Sequence, residues 1–150
     1  MMGDENLTSE NELPDDLYGE ISDFCEKGNV LADQEKFAEA YEQFDKALAL
    51  VPVPRERWEA STWIFAALGD MAFSLKNYPL ARQHLDWAVL CPDGLGNPFI
   101  HLRLGQVNFE LSRLDIAADE LIRAYMGDGE TVFEQEDPKY FDFLKTRVRI

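Results

Sequence analysis

Apolar residues along this chain recur three and four positions apart, in runs broken by short polar or proline-bearing stretches. That is the period of a helix burying one face. The pattern predicts helices over residues 14–33, 37–51, 55–75, 78–91, 98–111, 114–126 and 138–146. Pro14 followed by Asp15 and Asp16 reads as a helix start, since proline suits a first turn and carboxylates favour the positive end of the helix dipole. Breaks fall at Gln34 to Lys36, at Pro52 and Pro54, at Asn77, at Pro92, Asp93 and Gly94, and at Gly127 to Gly129. No segment alternates apolar and polar over a strand's length, so the expected class is all-α. Residues 1–13 are acidic and aperiodic and are expected to be disordered, leaving a single domain over 14–150.

The helical segments repeat in register. Aligning Gly28, Gly69 and Gly105 places an alanine twelve positions on in every case, at Ala40, Ala81 and Ala117, and another seven further, at Ala47, Ala88 and Ala124. Four after the first alanine stands a large apolar residue (Phe44, Leu85, Leu121), and nine after the glycine a bulky one (Phe37, Tyr78, Leu114). Two antiparallel helices joined by a tight turn approach closely only where small residues let the backbones in, with bulky residues filling the space beside them. Such a pair cannot bury its apolar face alone, so pairs stack in series.

These columns resemble the tetratricopeptide repeat (TPR), whose pattern is W-x2-L-G-x2-Y…A-x3-F…P. Phe65, Leu68 and Gly69, and again His101, Leu104 and Gly105, fit its first block with substitutions for Trp; the first unit has Phe24 there, with Lys27 in place of Leu. Leu31, Ala72 and Asn108 replace the Tyr, and Pro52 matches the closing proline. The resemblance covers residues 20 to 130 and implies a TPR-like α-solenoid of three helix pairs, with units of about 21–54, 62–95 and 98–131. A C-terminal capping helix over about 138–146 would cover the last face with Tyr140, Phe141, Phe143 and Leu144. The glycines are spaced 41 and then 36 residues apart, more than the family's ~34, so extra chain is expected near 51–58 and 91–97.

Composition adds sign to this picture. There are 29 acids against 14 bases, a formal net charge of -15. The excess is local: nine acids and no base over residues 1–26, five and none over 128–137. Such a chain is repelled by nucleic acid and by anionic membranes, because phosphate binding needs Lys and Arg. The apolar runs at 63–68 and 47–51 fall far short of the ~18–20 residues of a membrane span. The start shows no cationic stretch before an apolar one, and Cys25 and Cys91 form no CxxC pair, so reduced thiols in the cytoplasm are expected.

Candidate chemistry is sparse. His84 and His101 have no second His or Cys at helical spacing, so no metal site is expected, and none of the nucleophile-elbow, zinc-protease, P-loop or EF-hand patterns occurs. Neither enzyme activity nor a cofactor is expected. The resemblance instead implies that a protein partner lies along the concave face lined by the first helix of each unit. Carried over by repeat position, that face holds Asn29 from unit one, then Trp63, Ala66, Asp70 and Phe73 from unit two. Unit three adds Phe99, Leu102, Gln106 and Phe109, with Glu110 beside them. Four aromatics on one face suit an interface core, and acids around them suit a basic partner. The Lys/Arg clamp that some of these repeats close on acidic tails is not rebuilt: Asn29 matches one clamp position, but Cys25 and Phe99 stand where lysines would be, leaving Arg103 alone. Three readings stay open: a dedicated inhibitor or immunity-type binder of a basic protein, as the stretch 97–145 loosely resembles, a secretion chaperone, or a scaffold subunit. Whether a terminal segment covers the concave face is also open.

Overall fold

The computed structural model describes residues 13–150. Seven helices follow in order: α1 Asp15–Asp33, α2 Phe37–Leu50, α3 Glu59–Ser74, α4 Tyr78–Leu90, α5 Pro98–Glu110, α6 Leu114–Asp128 and α7 Pro138–Arg147. No strand occurs among the described residues. The expected disordered stretch lies outside them, apart from Leu13, which is buried in the first core rather than frayed. Packing is strongest within α1/α2, α3/α4 and α5/α6, and weaker between successive pairs.

The glycine column does what its register implied. A Cβ on Gly28 would lie 2.7 Å from the Phe44 ring, one on Gly69 2.5 Å from Leu85 Cγ, and one on Gly105 2.5 Å from Leu121. So the glycine of each first helix receives the large residue of its own second helix, and any side chain there overpacks the crossing. The turns repeat as well. Glu35, Lys76 and Ser112 all sit at left-handed φ (60°, 62° and 62°). Behind them the amides of Lys36, Asn77 and Arg113 donate to Leu31, Ala72 and Asn108, so α1, α3 and α5 share one Schellman ending. Asn77, Asn97 and Asp137 cap α4, α5 and α7 with their side-chain oxygens, each with a proline in the first turn.

The structure departs from the expected boundaries at the third helix. Residues 55–57 form a separate 3-10 turn, and α3 starts only at Glu59. The chain is extended at Val51, Pro54 and Trp58, and Trp58 donates its indole N–H to the Pro52 carbonyl at 2.8 Å. The extra residues between units one and two are therefore connection, not helix.

Two cores result. One runs through α1–α5 around Ile21, Ile64, Leu68, Leu85, Ile100 and Leu104; the other joins Leu102, Leu121 and Ala124 to Phe133, Tyr140 and Leu144 of the C-terminal segment. That segment does not simply cap the stack. Lys139 pairs with Glu110 at 2.9 Å and Arg147 with Asp115 at 3.0 Å, so both ends of α7 are fastened to the corner between α5 and α6. The chain from Gly129 to Asp137, with its 3-10 turn at Gly129–Phe133, crosses the concave face to reach that corner.

Candidate functional site: the concave groove

The two ends of the concave face differ. Near the starts of α3 and α5 a groove of about 560 Å³ remains open. Trp63 and Phe99, 39% and 38% exposed, line it together with Ala66, Ala67 and Ile100. Thr62 donates its hydroxyl to the Pro92 carbonyl at 2.7 Å, which ties the 92–97 loop to α3. The charged lining residues are Glu59, Asp70 and Asp93, all acids. Glu59 and Asp93 form no ion pair among the described residues.

Near the ends of α3 and α5 the face is covered. Arg103 donates from Nε to Asp70 at 2.7 Å and from Nη1 to Gln106 at 2.8 Å and Glu136 at 2.7 Å. Gln106, 0% exposed, donates its amide to the same Glu136 oxygen at 2.8 Å. Burial works against the guanidinium charge, but the two carboxylates outweigh it and raise the Arg103 pKa above its ordinary value. The guanidinium also lies 5.1 Å from the Phe73 ring centre and 4.8 Å from that of Phe99, bridging the two ends. Beyond it, Tyr140 donates its hydroxyl to Glu110 at 2.7 Å. Phe109 meets Tyr140 and Phe143 edge to face, at 5.5 and 5.1 Å between centroids. Burial pushes the Glu110 carboxyl up, but hydrogen bonds from Lys139 and Tyr140 prevail and hold it below the usual range. Tyr140 is raised, by burial first and by Glu110 second.

The ten residues expected on this face thus fall into three groups. Trp63, Ala66, Asp70 and Phe99 meet at the open end, although Ala66 is itself buried and Asp70 is already engaged by Arg103. Phe73, Leu102, Gln106, Phe109 and Glu110 lie under the C-terminal segment, Leu102 at 2% exposure. Asn29 is exposed on α1 and does not line the groove. The acids of 128–137, read in the sequence only as an excess of charge, include in Glu136 a half-buried partner of Arg103. Its sign in the sequence is faint: Tyr140 and Leu144 fall four apart on α7, and Glu136 lies four before Tyr140, just ahead of the Asp137 cap.

The histidines are spent structurally. His101 donates from Nδ1 to Glu120 at 2.6 Å, while its Nε2 accepts the Gly96 amide at 2.8 Å, which assigns the neutral tautomer and latches the 92–97 loop. His84 hydrogen-bonds Tyr41 at 2.7 Å, and burial lowers its pKa. It lines a convex cleft of about 770 Å³ with Phe65, Trp87, Leu90 and Val53, which no motif pointed to and which the extra 51–58 connection walls off. Burial pushes the Cys25 and Cys91 thiols up to about 11, leaving them protonated and unreactive. Among the described residues no cluster of His, Cys, Asp or Glu could hold a metal ion, and no helix is long and apolar enough to cross a membrane.

No family model matches the chain, and no curated protein matches it in sequence. In fold it is similar to the C-terminal TPR-containing domain of an FK506-binding protein from Plasmodium falciparum, with a TM-score of 0.70 at 16% identity over 90% of this chain and 91% of that one. It is also similar to PcrH, solved in complex with the chaperone binding region of PopB, with a TM-score of 0.61 at 17% identity over 91% and 95%. The architecture is a TPR-like α-solenoid.

Proposed function

We propose that this chain is a protein-binding module that holds a cationic segment of a partner protein at the open end of its concave groove, as a dedicated inhibitor or immunity-type binder of a basic protein. One observation carries the reading: Trp63 and Phe99, both more than a third exposed, line a groove whose charged residues are all acids. Aromatic walls supply desolvated contact area, while carboxylates at the edge accelerate encounter with a cation and reject anions. The chaperone alternative draws its support from PcrH, a similar fold solved with a segment of another protein.

A photo-crosslinker placed at Ala67 should capture the partner, and binding kinetics with that partner then test the reading. Trp63→Ala and Phe99→Ala should each speed dissociation by about tenfold or more. Glu59→Gln with Asp93→Asn should slow association and flatten its salt dependence. An acidic partner, or full binding by both aromatic variants, removes the proposal. If the partner is toxic when expressed alone and harmless beside this chain, the inhibitor reading stands; if it merely becomes soluble, the chaperone reading replaces it.

A further inference from the structure

The covered end of the concave face is furnished like a binding site, and its occupant is the chain's own C-terminal segment. Arg103 Nη1 and Gln106 Nε2 converge on one oxygen of Glu136, 2.7 and 2.8 Å away. Both donors stand in mid-helix on α5, and with the segment in place Gln106 is wholly buried, its amide satisfied by that carboxylate. One step along, Glu110 accepts the hydroxyl of a tyrosine whose ring lies against Phe109 and Phe73. Leu102 and Leu121 then belong to the same buried apolar cluster as Leu144. The socket therefore reads three features at four-residue spacing: a carboxylate, an aromatic hydroxyl and an aliphatic side chain.

The strap that supplies them is suited to leaving. Its buried residues belong to the second core and not to the one that joins α1–α5. With ten residues, α7 is shorter than a helix that holds itself in water. Arg103 keeps Asp70 as a counter-charge when Glu136 departs. We propose that this socket is a second peptide-binding site, closed in cis by residues 129–148. Its ligand in trans is a segment of a partner protein bearing an acid just before the N-cap of a short helix, then an aromatic four positions on, then a leucine-like residue four further. The site does not depend on the cationic segment assigned to the open end, and the strap competes with any such ligand.

The test uses the full chain. Glu136→Ala with Tyr140→Ala weakens the strap and leaves every socket residue of α3 and α5 untouched. A labelled peptide copying residues 133–148 should bind this variant about tenfold or more tightly than it binds the unaltered chain, whose socket is filled. The same peptide with its glutamate and tyrosine replaced by alanine should lose that advantage. Equal, weak binding to both chains would overturn the proposal. Should the double variant fail to fold, hydrogen exchange on the unaltered chain decides. Amides of 140–147 exchanging about tenfold or more faster than those of 64–72 show a strap that opens on its own. Exchange of both sets only through global unfolding would make the segment a fixed part of the fold and sink the idea. Exchange of straps between two copies, seen as a dimer that the peptide dissociates, counts for the same socket.

Discussion

Trp63 and Phe99 occupy the same position in successive repeats, and so do Phe73 and Phe109, ten residues further along their helices. All four lie on the first helices of units two and three, yet the first pair lines an open groove and the second pair is roofed by Tyr140 and Phe143. Nothing in the repeat distinguishes them. The difference comes from a non-repeating segment that crosses one end of the face and leaves the other bare. It also changes what the polar residues do. Asp93 and Glu59 are exposed and in no ion pair among the described residues, whereas Gln106, Glu110 and Glu136 are used up inside the molecule. A face that is uniform by repeat position is divided by the tail into a surface and a core.

Substitution of the aromatics should break this comparison most visibly. Phe109→Ala removes a ring packed on both Tyr140 and Phe143 and should cost about 3 kcal/mol in urea unfolding. Trp63→Ala removes a ring already in contact with water and should cost under about 1 kcal/mol. Equal costs would mean that the two ends are packed alike. A finer cut separates the two donors to Glu110. Tyr140→Phe deletes a hydrogen bond from a buried phenol to a charged group and should cost about 1.5 kcal/mol. Lys139→Met deletes a half-exposed ion pair and should cost under about 0.5 kcal/mol. The reverse order would place the strap's anchor at its surface.

The smallest effect is in pH, and it belongs to the covered end. Glu110 is held below its usual value, so its contribution is fully present above an unfolded carboxyl pKa of about 4.3 and fades as pH falls through the folded one. Tyr140 is raised, so its contribution is intact below about pH 10 and shrinks as pH climbs past that. Urea midpoints should therefore decline at both extremes. Glu110→Gln should flatten part of the acid limb, and Tyr140→Phe part of the alkaline one. Limbs unchanged by either variant would show that the strap's hydrogen bond does not couple to protons.

By itself the sequence determined the seven helices, their pairing and the close crossings at Gly28, Gly69 and Gly105. Those features rest on spacings of three to twelve residues, where helical period and side-chain size act directly and repeat three times over. Repeat position also brought Trp63 and Phe99, and Phe73 and Phe109, to corresponding places on α3 and α5, but not Asn29 of α1 to the groove. Only the tertiary structure decided which part of the face is open. Glu136 meeting Arg103, and Tyr140 meeting Glu110 and Phe73, are encounters between residues thirty or more positions apart, made by a segment outside the repeat. Nor could the spacing of 41 residues say whether its surplus would lengthen a helix or form a loop. Trp58 bonding back to Pro52 settled that locally, and the convex cleft around His84 and Trp87 followed from the path the loop then took. Periodicity encodes what a residue's near neighbours in the chain impose, while the course of a unique segment depends on surfaces that exist only once the helices have packed.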